Sequence, residues 1–209
     1  MLTDLSAGDL VIVLVSIFVS LAVHEAMHGF VAHWLGDTTA QEEGRLTLNP
    51  LAHVDLFTTI LLPMVLILSH LPPIFAAKPV PFNPSRLKYD EYGAALVGLA
   101  GPLTNLALAA LAAIIFRIWG NDFSSGINNI IIIFTSVNIG FFVFNMIPFP
   151  PLDGSRVLYA FAPGWLREIM EQIEAMGFLV ILLIIFFAFQ FIADPIVNLQ
   201  QDILRFLLV

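Results

Sequence analysis

Long apolar runs alternate with short polar connections along the whole chain. The first run extends from Leu10 to about Leu35 and is closed by Gly36-Asp37. A second, Leu56 to Leu71, is only 16 residues long, with Pro63 inside it and Pro72-Pro73 after it. Gly93 to Trp119 and Ile127 to Ile147 are two further convincing runs, and Gly177 to Ala193 is the last. A helix needs about 20 apolar residues to cross the hydrocarbon of a bilayer. The pattern therefore predicts an all-α polytopic membrane protein, a compact bundle of four to five transmembrane helices. Pro163 to Met176 has apolar positions at helical spacing opposite Arg167, Glu168, Glu171 and Glu174, which predicts an amphipathic helix at the membrane interface. Asp194-Pro195 is expected to bend the chain into a short amphipathic tail.

Two connections have their own character. The alternation from Arg45 to Leu48, closed by Asn49-Pro50, predicts a short β-strand region. Residues 74–92 are proline-rich (Lys78-Pro79-Val80-Pro81-Phe82-Asn83-Pro84), which favours extended backbone over helix.

Composition sharpens the class. Of 209 residues, 59% are hydrophobic and 11% charged, against about 25% charged in soluble domains. The net charge of −8 comes with no basic patch, so nothing points to nucleic acid. There is no cysteine, so any metal must be held by His, Asp or Glu. Residues 1–9 lack the basic start of a signal peptide, and the first segment is expected to be retained. No internal repeat or long linker divides the chain, which reads as a single integral-membrane domain, 1–209.

The candidate chemistry lies inside the first run. His24-Glu25-Ala26-Met27-His28 reads H-E-x-x-H, after 14 uncharged residues from Leu10 to Val23. Ionisable groups in a membrane helix are costly and mark function by default. At ~100° per residue, His24 and His28 lie ~40° apart and face the same way, so both imidazoles can bind one metal ion. Glu25 is displaced by ~100° and could reach water at the metal without being a ligand. A third ligand is needed. Asp153, just past Pro148-Phe149-Pro150-Pro151-Leu152, is the candidate, although taken alone it could equally be a turn residue capping a helix.

Topology bears on that choice. If residues 56–71 cross fully, the 10–35 and 127–147 helices run in opposite directions, and His28 and Asp153 end ~20 Å or more apart. If residues 36–92 leave and return on one face, the two helices are parallel and the three groups converge. The basic residues agree. The return places Arg45, Lys78, Arg86, Lys88, Arg156 and Arg167 on one side, against Arg117 and Arg205. By the positive-inside tendency the side with six is cytoplasmic. The expected architecture thus includes a re-entrant or returning segment, with the site toward the cytoplasmic side of the cell membrane.

Three motifs occur in order: His24-Glu25-x-x-His28 on a membrane helix, Ala100-Gly101-Pro102-Leu103-Thr104-Asn105, and Asn145-Met146-Ile147-Pro148-Phe149-Pro150-Pro151-Leu152-Asp153-Gly154. Together they resemble the site-2 protease family of intramembrane zinc metalloproteases, in its compact prokaryotic type without PDZ or CBS domain. The resemblance runs from about Leu10 to Tyr159. It implies one zinc ion (Zn2+) per chain held by His24, His28 and Asp153, with Glu25 as general base. It also implies that the Asn145 region binds substrate or stabilises the oxyanion. Asn105 is expected either in that role or in a helix–helix contact. The implied partners are the lipid bilayer and a transmembrane protein substrate.

Other residues carry weaker expectations. His53 is read as an interfacial turn residue, with a gate over the metal as the alternative. His33, ~180° from His24, is read as structural, His70 as interfacial and Asn138 as a packing contact. The edges Arg45–Leu48 and Val80–Phe82 are candidates for substrate binding by β-addition. The small-residue face from Gly93 to Gly101 could pack within the chain or form a homo-oligomer. The competing functions are a non-proteolytic metal-binding scaffold, an inactive protease homologue and a metal transporter. Glu25 argues against the scaffold, since a structural site needs no base. The scarcity of intramembrane carboxylates argues against the transporter.

Overall fold

Ser6 starts the first helix, α1 (Ala7–Trp34), with a capping box: its hydroxyl accepts from Asp9 N–H, and the Asp9 carboxylate accepts from Ser6 N–H. Gly36 stops it. At φ +104° it adopts the left-handed conformation that closes a helix, with Asp37 N–H donating to Ala32 O and Gly36 N–H to His33 O. This is a computed structural model, and it describes residues 6–68, 77–183, 187 and 189–209.

Two more long helices follow, α4 (Asp90–Trp119) and α5 (Ser125–Asn145), after the short α2 (Thr39–Glu42) and α3 (Leu62–Leu68). Beyond them come α6 (Gly154–Phe161), α7 (Gly164–Ala175), α8 (Phe178–Leu183) and α9 (Phe189–Leu208). α4 is the central element and packs on α1, α5 and α6. Its small residues Gly93, Ala94, Ala95, Gly98, Ala100 and Gly101 are all buried within the chain. A Cβ on Gly98 would lie 2.9 Å from both Asp153 O and Arg156 Cβ, so glycine there lets the Asp153 turn approach α4.

The helix directions place the site. Asn129, early in α5, donates to Asp9, early in α1, at 2.5 Å, and Ile17 and Leu21 pack with Val137 and Phe141. α1 and α5 therefore run parallel, with α4 antiparallel between them. Lys88 N–H donates to Leu35 O at 2.8 Å, so the segment that leaves α1 comes back to its end.

The count of spans is corrected. Among the described residues three helices, α1, α4 and α5, are long and apolar enough to cross a membrane, not four to five. From Leu56 a π-helical stretch to Leu61 leads into α3, ending at Leu68. The described part of this run covers residues 56–68. Leu62 N–H bonds back to Phe57 O, the wide turn that precedes Pro63 with its missing N–H. Nor does the last run end at Asp194-Pro195. α9 continues through Pro195, because Ile196, Ile203, Leu204 and Leu207 bury one face on Ala109, Ile139 and Val143.

The β-strand region is also overturned: no strand occurs among the described residues. Arg45 N–H is taken by Ala40 O, and Thr47 N–H by Arg45 O, so the backbone is consumed by local turns. What reaches the neighbouring extended segment is the Arg45 side chain, donating to Lys78 O at 2.8 Å. The expectations for Pro72-Pro73 and His70 lie outside the described residues.

Candidate metal centre

One turn of α1 carries His24, Glu25 and His28, and the turn between α5 and α6 carries Asp153. His24 Nε2 lies 3.0 Å and His28 Nε2 3.4 Å from Asp153 Oδ2. The two imidazole centroids are 4.7 Å apart, edge to face. One ligand atom from each of the three residues lies within 4.8 Å of the others. Both histidines are buried and Asp153 is half-buried. Gly154 shapes the turn, since a Cβ there would meet Met146 O at 2.5 Å.

The outer nitrogens decide what the inner ones can do. His24 Nδ1 donates to Asn105 Oδ1 at 2.5 Å, and His28 Nδ1 donates to Val97 O at 2.7 Å. Both acceptors are carbonyl oxygens, so each Nδ1 carries the proton. In neutral rings each Nε2 then offers a lone pair toward the Asp153 carboxylate. Two imidazole nitrogens and a carboxylate converging in one place are arranged to hold a cation.

The space fits one. A Cβ on Gly101 of α4 would fall 2.5 Å from His28 Nε2 and 2.6 Å from His24 Nε2. Glycine keeps that volume clear. In a tetrahedral zinc site with bonds of about 2.0–2.1 Å, ligand atoms stand about 3.3 Å apart, close to the 3.0 and 3.4 Å between the histidines and Asp153 Oδ2. The donor set, two imidazoles and one carboxylate, suits zinc and leaves a fourth position.

Glu25 Oε2 accepts from Val80 N–H at 2.9 Å. Val80 belongs to an extended strap, residues 77–83, laid along α1. Lys78 N–H donates to His53 O at 2.8 Å and Asn83 N–H to Asp37 Oδ2 at 2.6 Å. Gly29 makes room, since a Cβ there would lie 3.1 Å from Val80 Cγ1. Pro79 and Pro81 alternate with the inward-bonded residues and have no N–H, so the strap offers an approaching strand acceptors but few donors.

The remaining residues sort by contact. Asn105 is fully buried and bonded to His24. Asn145, half-buried at the end of α5, donates through Nδ2 to Phe141 O at 3.0 Å. His53 is buried, donates from Nε2 to Thr47 O at 2.8 Å, and is not among the residues whose ligand atoms converge. Val80 N–H and Val97 O went unread in the sequence because any residue can supply a backbone group. Asn105 carried a signal: it lies four residues after Gly101, on the same helix face toward the histidines.

Comparison with known proteins agrees with the geometry. Peptidase family M50 matches residues 115–189, a stretch that contains Asp153 but not the two histidines. YwhC of Bacillus subtilis (strain 168), named as a zinc metalloprotease, is 34% identical over 196 residues, covering 90% of this chain and 86% of the relative. Rip2 of Mycolicibacterium smegmatis, also named as a zinc metalloprotease, is 25% identical over 183 residues, covering 85% of this chain and 68% of the relative. Rip2 of Mycobacterium tuberculosis is 30% identical over 155 residues, with 73% and 58% covered. No solved structure matches the chain. With a buried His-His-Asp cluster between membrane helices and this likeness along most of its length, the chain belongs to the site-2 protease family of zinc metalloproteases, peptidase family M50.

Proposed function

We propose that this single-domain protein hydrolyses peptide bonds within or near the transmembrane segments of other membrane proteins, using one zinc ion held by His24, His28 and Asp153. The observation that carries this is the convergence of those three side chains at the end where α1 and α5 finish. A bound zinc ion would polarise a carbonyl and acidify water at its open position. Glu25 is the general base that takes the proton and passes it to the leaving amine. Val80 N–H holds the Glu25 carboxylate in place by a charge-assisted hydrogen bond. The Nδ1 bonds to Asn105 and Val97 keep both ligand nitrogens aimed inward. Asn145 has its Oδ1 free to engage an unwound substrate. His53, in this reading, ties the 47–53 loop to the strap. The excess of basic residues at the metal end supports a site toward the cytoplasm.

The test is Glu25→Gln in full-length protein purified in detergent. The variant should bind about one zinc per chain and lose cleavage of a single-span substrate. Trapping in native membranes should then retain single-span proteins on the variant. If wild type binds zinc but cleaves nothing in a broad panel of membrane proteins, a non-proteolytic metal scaffold replaces this reading.

A further inference from the structure

We propose that Asn138, on α5, is a positioning residue for the metal ligand His24, acting through Asn105. The proposal rests on the metal-binding reading above. Asn138 and Asn105 are both fully buried, in the middle of their helices. Asn138 Nδ2 donates to Phe134 O at 2.9 Å, one turn back on its own helix. That turns Asn138 Oδ1 toward α4, where it accepts from Asn105 Nδ2 at 2.9 Å. Asn105 Nδ2 also lies 3.4 Å from Ser20 O of α1. With its donors committed on that side, Asn105 can present only Oδ1 to His24, and it accepts from Nδ1 at 2.5 Å.

The chain of bonds has a direction. The Phe134 carbonyl fixes Asn138, Asn138 fixes the Asn105 amide, and Asn105 fixes the tautomer of His24. A neutral imidazole has one N–H. Held on Nδ1, it leaves the Nε2 lone pair toward Asp153. Reversing either amide would set a donor against Nδ1 and move the proton to Nε2, where it would block a metal. Away from water, no solvent molecule can substitute for a missing member. A packing contact between α4 and α5 would need neither this order nor this polarity.

The experiment is zinc affinity of the full chain in detergent, stripped with chelator and titrated against a chromophoric competitor. Asn138→Leu and Asn138→Ala should weaken zinc binding by about 3–10-fold, below the roughly 10–100-fold usual for losing a direct outer partner of a metal-bound histidine, which here is Asn105. Asn138→Asp should stay close to wild type. Buried, it is a neutral acid, whose carbonyl accepts from Asn105 and whose O–H donates to Phe134 O. Thr135→Val is the control. Thr135 is equally buried on α5, but its hydroxyl donates to Ile131 O at 2.7 Å. It should leave affinity unchanged. Wild-type affinity in folded Asn138→Ala overturns the proposal, as does a loss in Thr135→Val as large as in the Asn138 variants. If Asn138→Leu does not fold, Asn138→Ala and Asn138→Asp still decide. A wild-type chain that binds no zinc overturns the metal reading itself, and the relay with it.

Discussion

Replacing Gly101 by alanine puts a single methyl group against the two histidine nitrogens that face Asp153. The new Cβ would stand 2.5 Å from His28 Nε2 and 2.6 Å from His24 Nε2, where ordinary contact begins at 3.4 Å. The rings must therefore retreat by about 0.9 Å, the difference between 3.4 and 2.5 Å. They cannot do so freely, because Asn105 and Val97 hold their far sides. Metal–ligand distances tolerate shifts of only about 0.2 Å. The expected result is loss of zinc by more than the 10–100-fold of an outer-partner change, with loss of proteolysis following from it. The assay is zinc per chain by elemental analysis, beside competitor titration and a thermal melt to verify folding. Gly164→Ala is the matched control, since a Cβ there has no atom within 4 Å. A folded Gly101→Ala protein with wild-type zinc affinity would refute the placement of the metal between these nitrogens.

Two further outcomes follow from the strap. Val80→Pro removes the N–H that Glu25 accepts, and a hydrogen bond to a charged group is worth about 1.5–3 kcal/mol. Cleavage should fall roughly 10–100-fold with zinc content unchanged, and equal cleavage by both proteins would show that Glu25 does not depend on that bond. Asp37, fully buried at the end of α1, accepts from Thr39 N–H, Thr39 Oγ1 and Asn83 N–H. Burial alone would raise its pKa, but those hydrogen bonds and the charge of Arg86 lower it overall. A depressed carboxylate pKa stabilises the fold above the unfolded value near 3.9, and the effect is lost as pH falls through the folded value. Asp37→Asn should therefore cost about 1–3 kcal/mol at pH 7. The gap in melting temperature between the two proteins should begin to narrow below about pH 4 and close as pH falls through the lowered folded value, and a gap that does not narrow in acid would contradict this account.

The sequence carried the chemistry better than the architecture. His24, Glu25 and His28 are fixed by one helical turn, so their relation needs no tertiary information. Asp153 taken alone is an even choice between ligand and turn residue; the resemblance of the three motifs names it, and Lys88 bonded to Leu35 meets the condition that the chain come back to the end of α1. Span counting failed where apolar content and length diverge. Among the described residues only α1, α4 and α5 are long and apolar enough to cross, and the chain past Asp194-Pro195 stays helical in α9, whose burial against Ala109 and Ile139 no hydropathy average contains. The expected strand at Arg45–Leu48 rested on four alternating residues with no partner strand identified. Its backbone groups turned inward instead.

The site draws on parts of the chain made far apart in time. His24 and His28 come from the first helix, the clear volume from Gly101 on α4, and the third donor from Asp153 beyond α5. A nascent or half-assembled chain with α1 alone in the bilayer has two imidazoles and no enclosure. It is chemically silent among the helices of its neighbours. The three donors meet only once the Asp153 turn has packed against α1 and α4, so the chain is disarmed by its own incompleteness until then.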